Sequence, residues 1–256
     1  MSRPESSTQR NKSSEDVSNI VQAVVRLREM ILKGNFEAGE RISELPLVAI
    51  LGVSRTPIRL ALERLAHEGL LEPYPTGGFI VRGFTVDDVW DAIQIRGALE
   101  GTAARLAAER LTSPADLDPI RKIQSDLDAV GEPTEGTFPS YLELNDAFHA
   151  EMVRLAKSPM LRLMLDRLFC LPFASPSALV SSPLQMPGTD ARFRTGEQHH
   201  HLIIEAIANR SGPFAENMAR EHANLTRRHL QLAIEDGSLL ATVPGGSLIS
   251  IGSTEE

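Results

Sequence analysis

From Asp16 onward, apolar residues recur at helical spacing. Ile20, Val21, Val24, Leu27, Ile31 and Leu32 predict one amphipathic helix, which Gly34 stops. Residues 1–15 are rich in Ser, Gln, Asn, Arg and Lys with almost nothing apolar, and predict a disordered tail. Ala38-Gly39-Glu40-Arg41 reads as a turn. A short helix follows over Glu44 to Leu51, broken by Gly52, with Val53 as a buried spacer. Ser54 suits the N-cap of the next helix, and Pro57 is tolerated in its first turn. Ile58, Leu62 and Leu65 carry that helix to Gly69. Two short extended runs then flank Pro75-Thr76-Gly77-Gly78 and predict a β-hairpin ending at Arg82.

A second region opens at Thr85, a helix cap followed by Asp87 and Asp88. Val89, Ile93, Leu99, Ala103 and Leu106 line one face of a long helix to Leu111. Further helices are predicted from Pro114 to Gly131, Ser140 to Ala156, Pro159 to Phe169, Arg192 to Asn209, and from Pro213 to Glu235. The Pro- and Ser-rich stretch from Leu171 to Gly188 reads as a long loop. The Gly/Ser-rich tail from Gly237 reads as flexible, although Leu239, Leu240, Leu248 and Ile249 could pack. The expected organisation is therefore a tail over 1–15, a winged helix-turn-helix unit over 16–84, an all-helical unit over 85–236 and a tail over 237–256. The fold class is mainly α, with one small β wing.

Composition narrows the setting. The single cysteine, Cys170, allows no internal disulfide, which agrees with a reducing cytoplasm. No stretch reaches the roughly 20 apolar residues of a membrane span, and the first residues do not read as a secretory leader. The net charge of −8 is unevenly placed. Residues 1–84 hold 11 basic and 10 acidic side chains, whereas residues 85–256 hold 15 and 24, with six of the seven histidines. Two units with different partners are implied.

The order helix, glycine turn, helix, hairpin over Ile42–Arg82 is that of a winged helix-turn-helix. In that motif the N-terminal residues of the second helix meet base edges in the major groove. Those residues are Ser54, Arg55, Thr56 and Arg59. Arg55 and Arg59, four apart, share one face and suit guanine or phosphate. Ser54 and Thr56 can donate to phosphate at the helix N-terminus. Gly77 and Gly78 would let the wing tip approach a minor-groove backbone. Glu40-Arg41-Ile42-Ser43-Glu44-Leu45 followed by Gly52-Val53-Ser54-Arg55-Thr56-Pro57-Ile58-Arg59 resembles the DNA-binding domain of GntR-family transcription regulators. Leu45 stands where fatty-acid-responsive members carry a DNA-contacting arginine.

The histidines offer a second chemistry. Asn145 and His149 lie four apart on one helix, His199-His200-His201 begin the run to Ile207, and His222 lies on the last helix. Imidazoles so placed suit Zn, Ni or a similar divalent ion, although scattered histidines are more often surface or capped groups. Arg96-Gly97-Ala98-Leu99-Glu100, Asn145 to His149, His200 and His222 resemble the all-helical effector (FCD) domain of the FadR-type GntR subfamily. The resemblance implies a divalent metal on Asn145, His149, His200 and His222, with Asn145 where the family often has Asp. His199 and His201 would then be non-ligands. It also implies that Arg96 clamps the carboxylate of an effector. The alternative for Arg96 is an ion pair with Glu100, four residues on. The runs Arg96–Arg105, Asn145–His149 and Leu171–Ala174 look closest to vanillate-responsive repressors. Leu171–Leu179 would then line an apolar pocket, or else lie as a surface loop.

The sequence thus predicts a cytoplasmic, homodimeric, ligand-responsive repressor that binds double-stranded operator DNA and is released by a small carboxylic acid. It is not expected to be an enzyme. Two other classes are weighed against this reading. A metal-dependent enzyme lacks a His-Glu-x-x-His helix, a nucleophile elbow and a phosphate loop. A metal- or ligand-binding protein without DNA binding fits poorly with Arg55, Arg59 and the glycine wing.

Overall fold

The computed structural model describes residues 7–171, 173–178, 189–235, 240 and 244–250. They form two compact units, one of the described residues up to Phe84 with Gly245–Ser250 and one of those from Thr85 to Pro244.

The first unit begins with α1 (Ser7–Leu32), followed by β1 (Arg41–Ile42), α2 (Glu44–Leu51), α3 (Arg55–His67), β2 (Leu71–Pro73) and β3 (Phe79–Val81). β3 lies between β1 and β2, antiparallel to both, with Ile42 opposite Phe79 and Leu71 opposite Val81. Leu27 and Ile31 of α1, Leu47 of α2 and Ile58, Leu62 and Leu65 of α3 are all buried, and α3 packs on both α1 and α2. Burying each of these side chains contributes about 1.5–3 kcal/mol relative to leaving it in water. Gly52 ends α2 in the left-handed conformation, its N–H donating to Val48 O.

Three features depart from the sequence reading. Helix α1 starts at Ser7, inside the expected disordered tail. Its first turns contain no proline or glycine, so nothing local stops the amphipathic helix from extending backwards. The expected turn ends in β1, because Arg41 and Ile42 supply β3 with a second ladder. Part of the expected flexible tail is ordered. A 3-10 turn at Gly246–Leu248 leads into β5 (Ile249–Ser250), which pairs with β4 (Phe84–Thr85).

The second unit is helical. Thr85 caps α4 (Val86–Arg110) with a complete capping box, its hydroxyl accepting from Asp88 N while the Asp88 carboxylate accepts from Thr85 N. A 3-10 turn at Pro114–Leu117 leads to α5 (Asp118–Val130). α6 (Phe138–Leu155), α7 (Pro159–Leu168), α8 (Thr189–Ala208) and α9 (Gly212–Glu235) follow. Helix α4 runs through the middle and touches α6, α7, α8 and most extensively α9. Small residues make that closeness possible. A Cβ on Gly101 would lie 2.9 Å from the Glu216 carbonyl oxygen. Phe148, Met152, Ile203, Ile207, Ile120 and Leu127 fill the core between α5, α6 and α8. No single helix among the described residues is long and apolar enough to cross a membrane.

Candidate functional site

Two clusters carry the chemistry. On the first unit, Ser54, Arg55, Thr56 and Arg59 are exposed while Pro57 and Ile58 between them are buried. The burial anchors α3 by one face and presents the polar one. Ser54 has the extended backbone of an N-cap but no side-chain cap bond, so its hydroxyl is not committed to the helix. Val53, expected to be buried, is half-buried. Arg59 lies 3.7 Å from Glu63, an exposed pair of little energetic weight. Gly77 and Gly78 are exposed at the hairpin tip with φ of 92° and 84°. Arg41 braces that tip, donating to Gly77 O at 2.7 Å and stacking over the Tyr74 ring at 5.0 Å. Sequence reading missed this role for Arg41 because it depends on β1 lying beside β3.

On the second unit, α6 supplies His149, α8 supplies His200 and α9 supplies His222. Their ligand atoms all lie within 4.8 Å of one another. The Nε2 atoms of His200 and His222 are 3.3 Å apart. Two nitrogens on one tetrahedral ion at Zn–N distances of about 2.0–2.1 Å would be about 3.3 Å apart. Two of the three outer nitrogens face acceptors, as those of metal ligands commonly do, while His222 Nδ1 has no hydrogen-bond partner among the described residues. His149 Nδ1 faces Glu100 Oε1 at 2.8 Å, and His200 Nδ1 faces Gln124 Oε1 at 3.2 Å. Phe148 stacks on the His200 ring at 3.8 Å and excludes water from it. Burial first, and then the neighbouring histidine charges, lower the pKa of His222 well below the ordinary value; burial also lowers that of His200. Both are therefore neutral imidazoles with lone pairs to offer. The donor set fits a divalent ion. His201 points elsewhere, to Asp128 at 2.9 Å.

Burial opposes ionisation of Glu100, but His149, Arg96 and His200 outweigh it and hold its pKa below the usual carboxylate range. Its second oxygen is 3.7 Å from Arg96 Nε, and both side chains are almost fully buried. Arg96 is otherwise spent on the protein. One Nη donates to Ser175 O at 2.6 Å, and the other to Thr226 Oγ1 at 2.7 Å and Ala223 O at 3.3 Å. Asn145 is also buried, and its Nδ2 donates to Ser177 Oγ at 3.2 Å. Ser177 in turn is 2.6 Å from Asp146 Oδ1. Residues expected to bind effector and metal thus also hold the 173–178 segment in place. Gln124 and Glu100 were not singled out as histidine partners in the sequence. Glu100 signalled itself only as the i+4 partner of Arg96, and Gln124 gave no signal.

Beside His149 lies a cavity of about 300 Å³, walled by Asp146, Val153, Leu165, Phe169 and Ser175, with Arg162 at its edge. Its volume is at the lower end for small-ligand pockets. Arg96 is not among its lining residues. Of the expected pocket segment Leu171–Leu179, Pro172 and Leu179 lie outside the described residues, and Ser175 reaches the cavity.

Comparison with known proteins places both clusters in familiar surroundings. Residues 19–81 match the bacterial regulatory proteins of the gntR family, and residues 91–225 match the FCD domain. An uncharacterized HTH-type transcriptional regulator of Bacillus subtilis is 30% identical over 221 residues, covering 83% of this chain and 91% of its own. A probable D-xylose utilization operon transcriptional repressor of Paenarthrobacter nicotinovorans is 29% identical, covering 75% and 80%. The solved structure of E. coli McbR/YncC superimposes with a TM-score of 0.58 at 22% identity, covering 86% of this chain and 98% of that one. That last likeness speaks to the fold alone.

Proposed function

The chain belongs to the gntR family of bacterial regulatory proteins, with an FCD domain, and is a transcriptional regulator of that type; on that premise we propose that it is a repressor of a catabolic operon, released by a small carboxylic acid. It binds operator DNA as a homodimer, with Ser54, Arg55, Thr56 and Arg59 in the major groove and the Gly77-Gly78 tip on the backbone. A two-fold dimer suits a palindromic operator with half-sites about one helical turn apart. The relative named as an operon repressor supports the direction of control.

The observation that carries the acid is the ligand set inside the helical unit. Three imidazoles would hold a divalent ion beside buried Arg96, and Glu100 is the carboxylate paired with both His149 and Arg96. Asn145, in the position where a carboxylate is expected, adds no negative charge. Two charges from the ion and one from Arg96 then face Glu100, with Glu197 3.7 Å from His200 Nδ1 and Asp146 on the cavity wall, so an anionic ligand is drawn by an open coordination position of the ion rather than by an unbalanced net charge. When bound, Zn, Ni or a similar ion supplies a Lewis-acidic anchor for a carboxylate oxygen. His149, His200 and His222 hold it, and Asn145 is the fourth candidate. Arg96 holds Ser175 and Thr226, so the cavity wall and not the acid is its main partner in the ligand-free chain. The apolar lining by Val153, Leu165 and Phe169 favours a ring over a sugar acid, and a vanillate-like aromatic acid is our choice within the class.

Fluorescence anisotropy tests the proposal, on DNA from upstream of the gene itself and its neighbours, in a salt series and with a panel of carboxylic acids. Selective, salt-sensitive binding that an aromatic acid releases is the expected result. Selective binding that no acid alters would overturn the effector, and absence of selective binding would overturn the repressor.

A further inference from the structure

The C-terminal segment lies beyond both family matches, which end at residues 81 and 225. Its residues 245–250 nevertheless belong to the DNA-binding unit, not to the helical unit that precedes them in the chain. The contacts are specific. Leu32 ends α1, and its carbonyl, which no further helical turn can satisfy, accepts from Gly245 N at 2.9 Å. Leu248 is fully buried and Ile249 nearly so. β5 pairs with β4, and Ser250 Oγ donates to Phe84 O at 3.1 Å. Gly34 takes a positive φ just past α1, and a side chain there would sit 3.3 Å from Ser247 Oγ. Backbone bonds, a strand pair and a buried leucine together make this a docked element rather than a resting tail.

We propose that residues 245–250 form a strap that docks in cis on the α1 end and β4 edge of the winged unit, giving that unit a second tie, non-covalent at the docked end, to the helical unit. The first tie is immediate, since β4 runs from Phe84 into the cap of α4 at Thr85. The second is the chain crossing from Pro244, the end of the helical unit's main run, to Gly245. A head held at two points swings less than one held at a single point, so the strap narrows the half-site spacings that the pair of heads accepts. This functional part rests on the operator-binding reading above. The docking itself does not.

Hydrogen exchange on the full-length chain separates the two parts. Leu248→Ser should speed exchange of the amides around residues 30–35 and 83–85 by about tenfold or more, and leave α6 and α8 unchanged. A chain ending at Glu235 should do the same, and a peptide of residues 237–256 added to it should restore protection. Unchanged exchange in both shortened and substituted chains overturns the docking. The tie is tested by inserting ten Gly/Ser residues between Glu235 and Gly245, which leaves the docked residues intact. Exchange should then match the natural chain, while operators with half-sites moved by one or two base pairs bind at least about threefold more tightly than before. Unaltered spacing preference overturns the tether. If the natural chain selects no operator at all, the repressor reading falls, and the exchange result still decides the docking.

Discussion

Replacing Glu100 by Gln tests whether the buried carboxylate orients a metal ligand or only balances Arg96. Glu100 is 1% exposed, 2.8 Å from His149 Nδ1 and 3.7 Å from Arg96 Nε. The substitution preserves shape and removes one buried charge. Two costs follow. Arg96 keeps its bonds to Ser175, Ala223 and Thr226 but loses its nearest counter-ion, with Asp146 remaining. Truncating one partner of a buried pair costs about 3–5 kcal/mol, and the retained Gln oxygen and the three surviving Arg96 bonds reduce that to about 2 kcal/mol here. The second cost falls on the metal. Glu100 can only accept, so it fixes the proton of His149 on Nδ1 and turns Nε2 toward the other imidazoles. Gln can turn its amide and present N–H instead, which allows the wrong tautomer. Losing such an outer partner typically weakens metal binding 10–100-fold. Zinc affinity by competition with a chromophoric chelator, and the melting temperature with and without metal, read the two costs separately. The expected result is a lower melting temperature and zinc binding weakened by about tenfold or more. Glu100→Gln protein that melts lower but binds zinc within twofold of the natural chain would refute the orienting role.

Other consequences are simpler to read. Arg59→Ala should weaken operator binding by about 1–3 kcal/mol if the guanidinium reads a base; in anisotropy, unchanged affinity would remove α3 from the groove. Gly101→Val should destabilise the helical unit by about 1–3 kcal/mol or more in thermal melts, since even a Cβ there meets the Glu216 carbonyl at 2.9 Å. Removing metal with a strong chelator should lower the melting temperature of a zinc-loaded chain, and His200→Ala should abolish that difference, because ligand binding stabilises only the folded state that makes the site. Asp116 is held at a pKa of about 2 by the Thr112 hydroxyl and then the Thr112 and Ser113 amides. Its bonds therefore stay intact above its ordinary value of 3.8 and are lost as pH falls through about 2. The amide shifts of Thr112 and Ser113 in an acid titration would show that midpoint.

The helix boundaries were legible because local signals set them. Glu44 to Leu51 is bounded by glycine, Thr85 and Asp88 form a box within four residues, and Pro57 sits at a first turn where its missing N–H costs nothing. The histidines were legible as candidates from residue type but as one ligand set only through a family resemblance, because spacing along one helix cannot report on α6, α8 and α9 together. What stayed hidden is long-range. Glu100 meets His149 across two helices, Gln124 reaches His200 from α5, and Arg41 braces a wing tip 36 residues away. The C-terminal strap was hidden for the same reason. Leu248 and Ile249 announce burial, but nothing near them in sequence names α1 and β4 as the surface that buries them.

Asn145 offers the most discriminating test of the charge argument, because it predicts two effects of opposite sign. Asn145→Asp adds a carboxylate four residues before His149 on the same helix face. A unit charge interacts with a divalent ion at 4 Å by several kcal/mol at an effective dielectric of about 20, and desolvation takes back much of it. Metal binding should still tighten by about tenfold or more. The same charge repels an anionic effector. At about 6 Å the repulsion is about 1–3 kcal/mol, or ten- to hundredfold in affinity. Operator release by the acid should then need correspondingly more ligand. The substitution also costs the donor that Asn145 gives to Ser177, leaving one serine hydroxyl between two carboxylates, so the 173–178 segment could loosen. Ser177→Ala controls for that, since it removes the same contact without adding charge. If Ser177→Ala reproduces the loss of acid response while metal affinity is unmoved by Asn145→Asp, the effect is mechanical and the electrostatic account of effector recognition fails. Tighter metal with weaker acid in Asn145→Asp alone can come only from charge at the site.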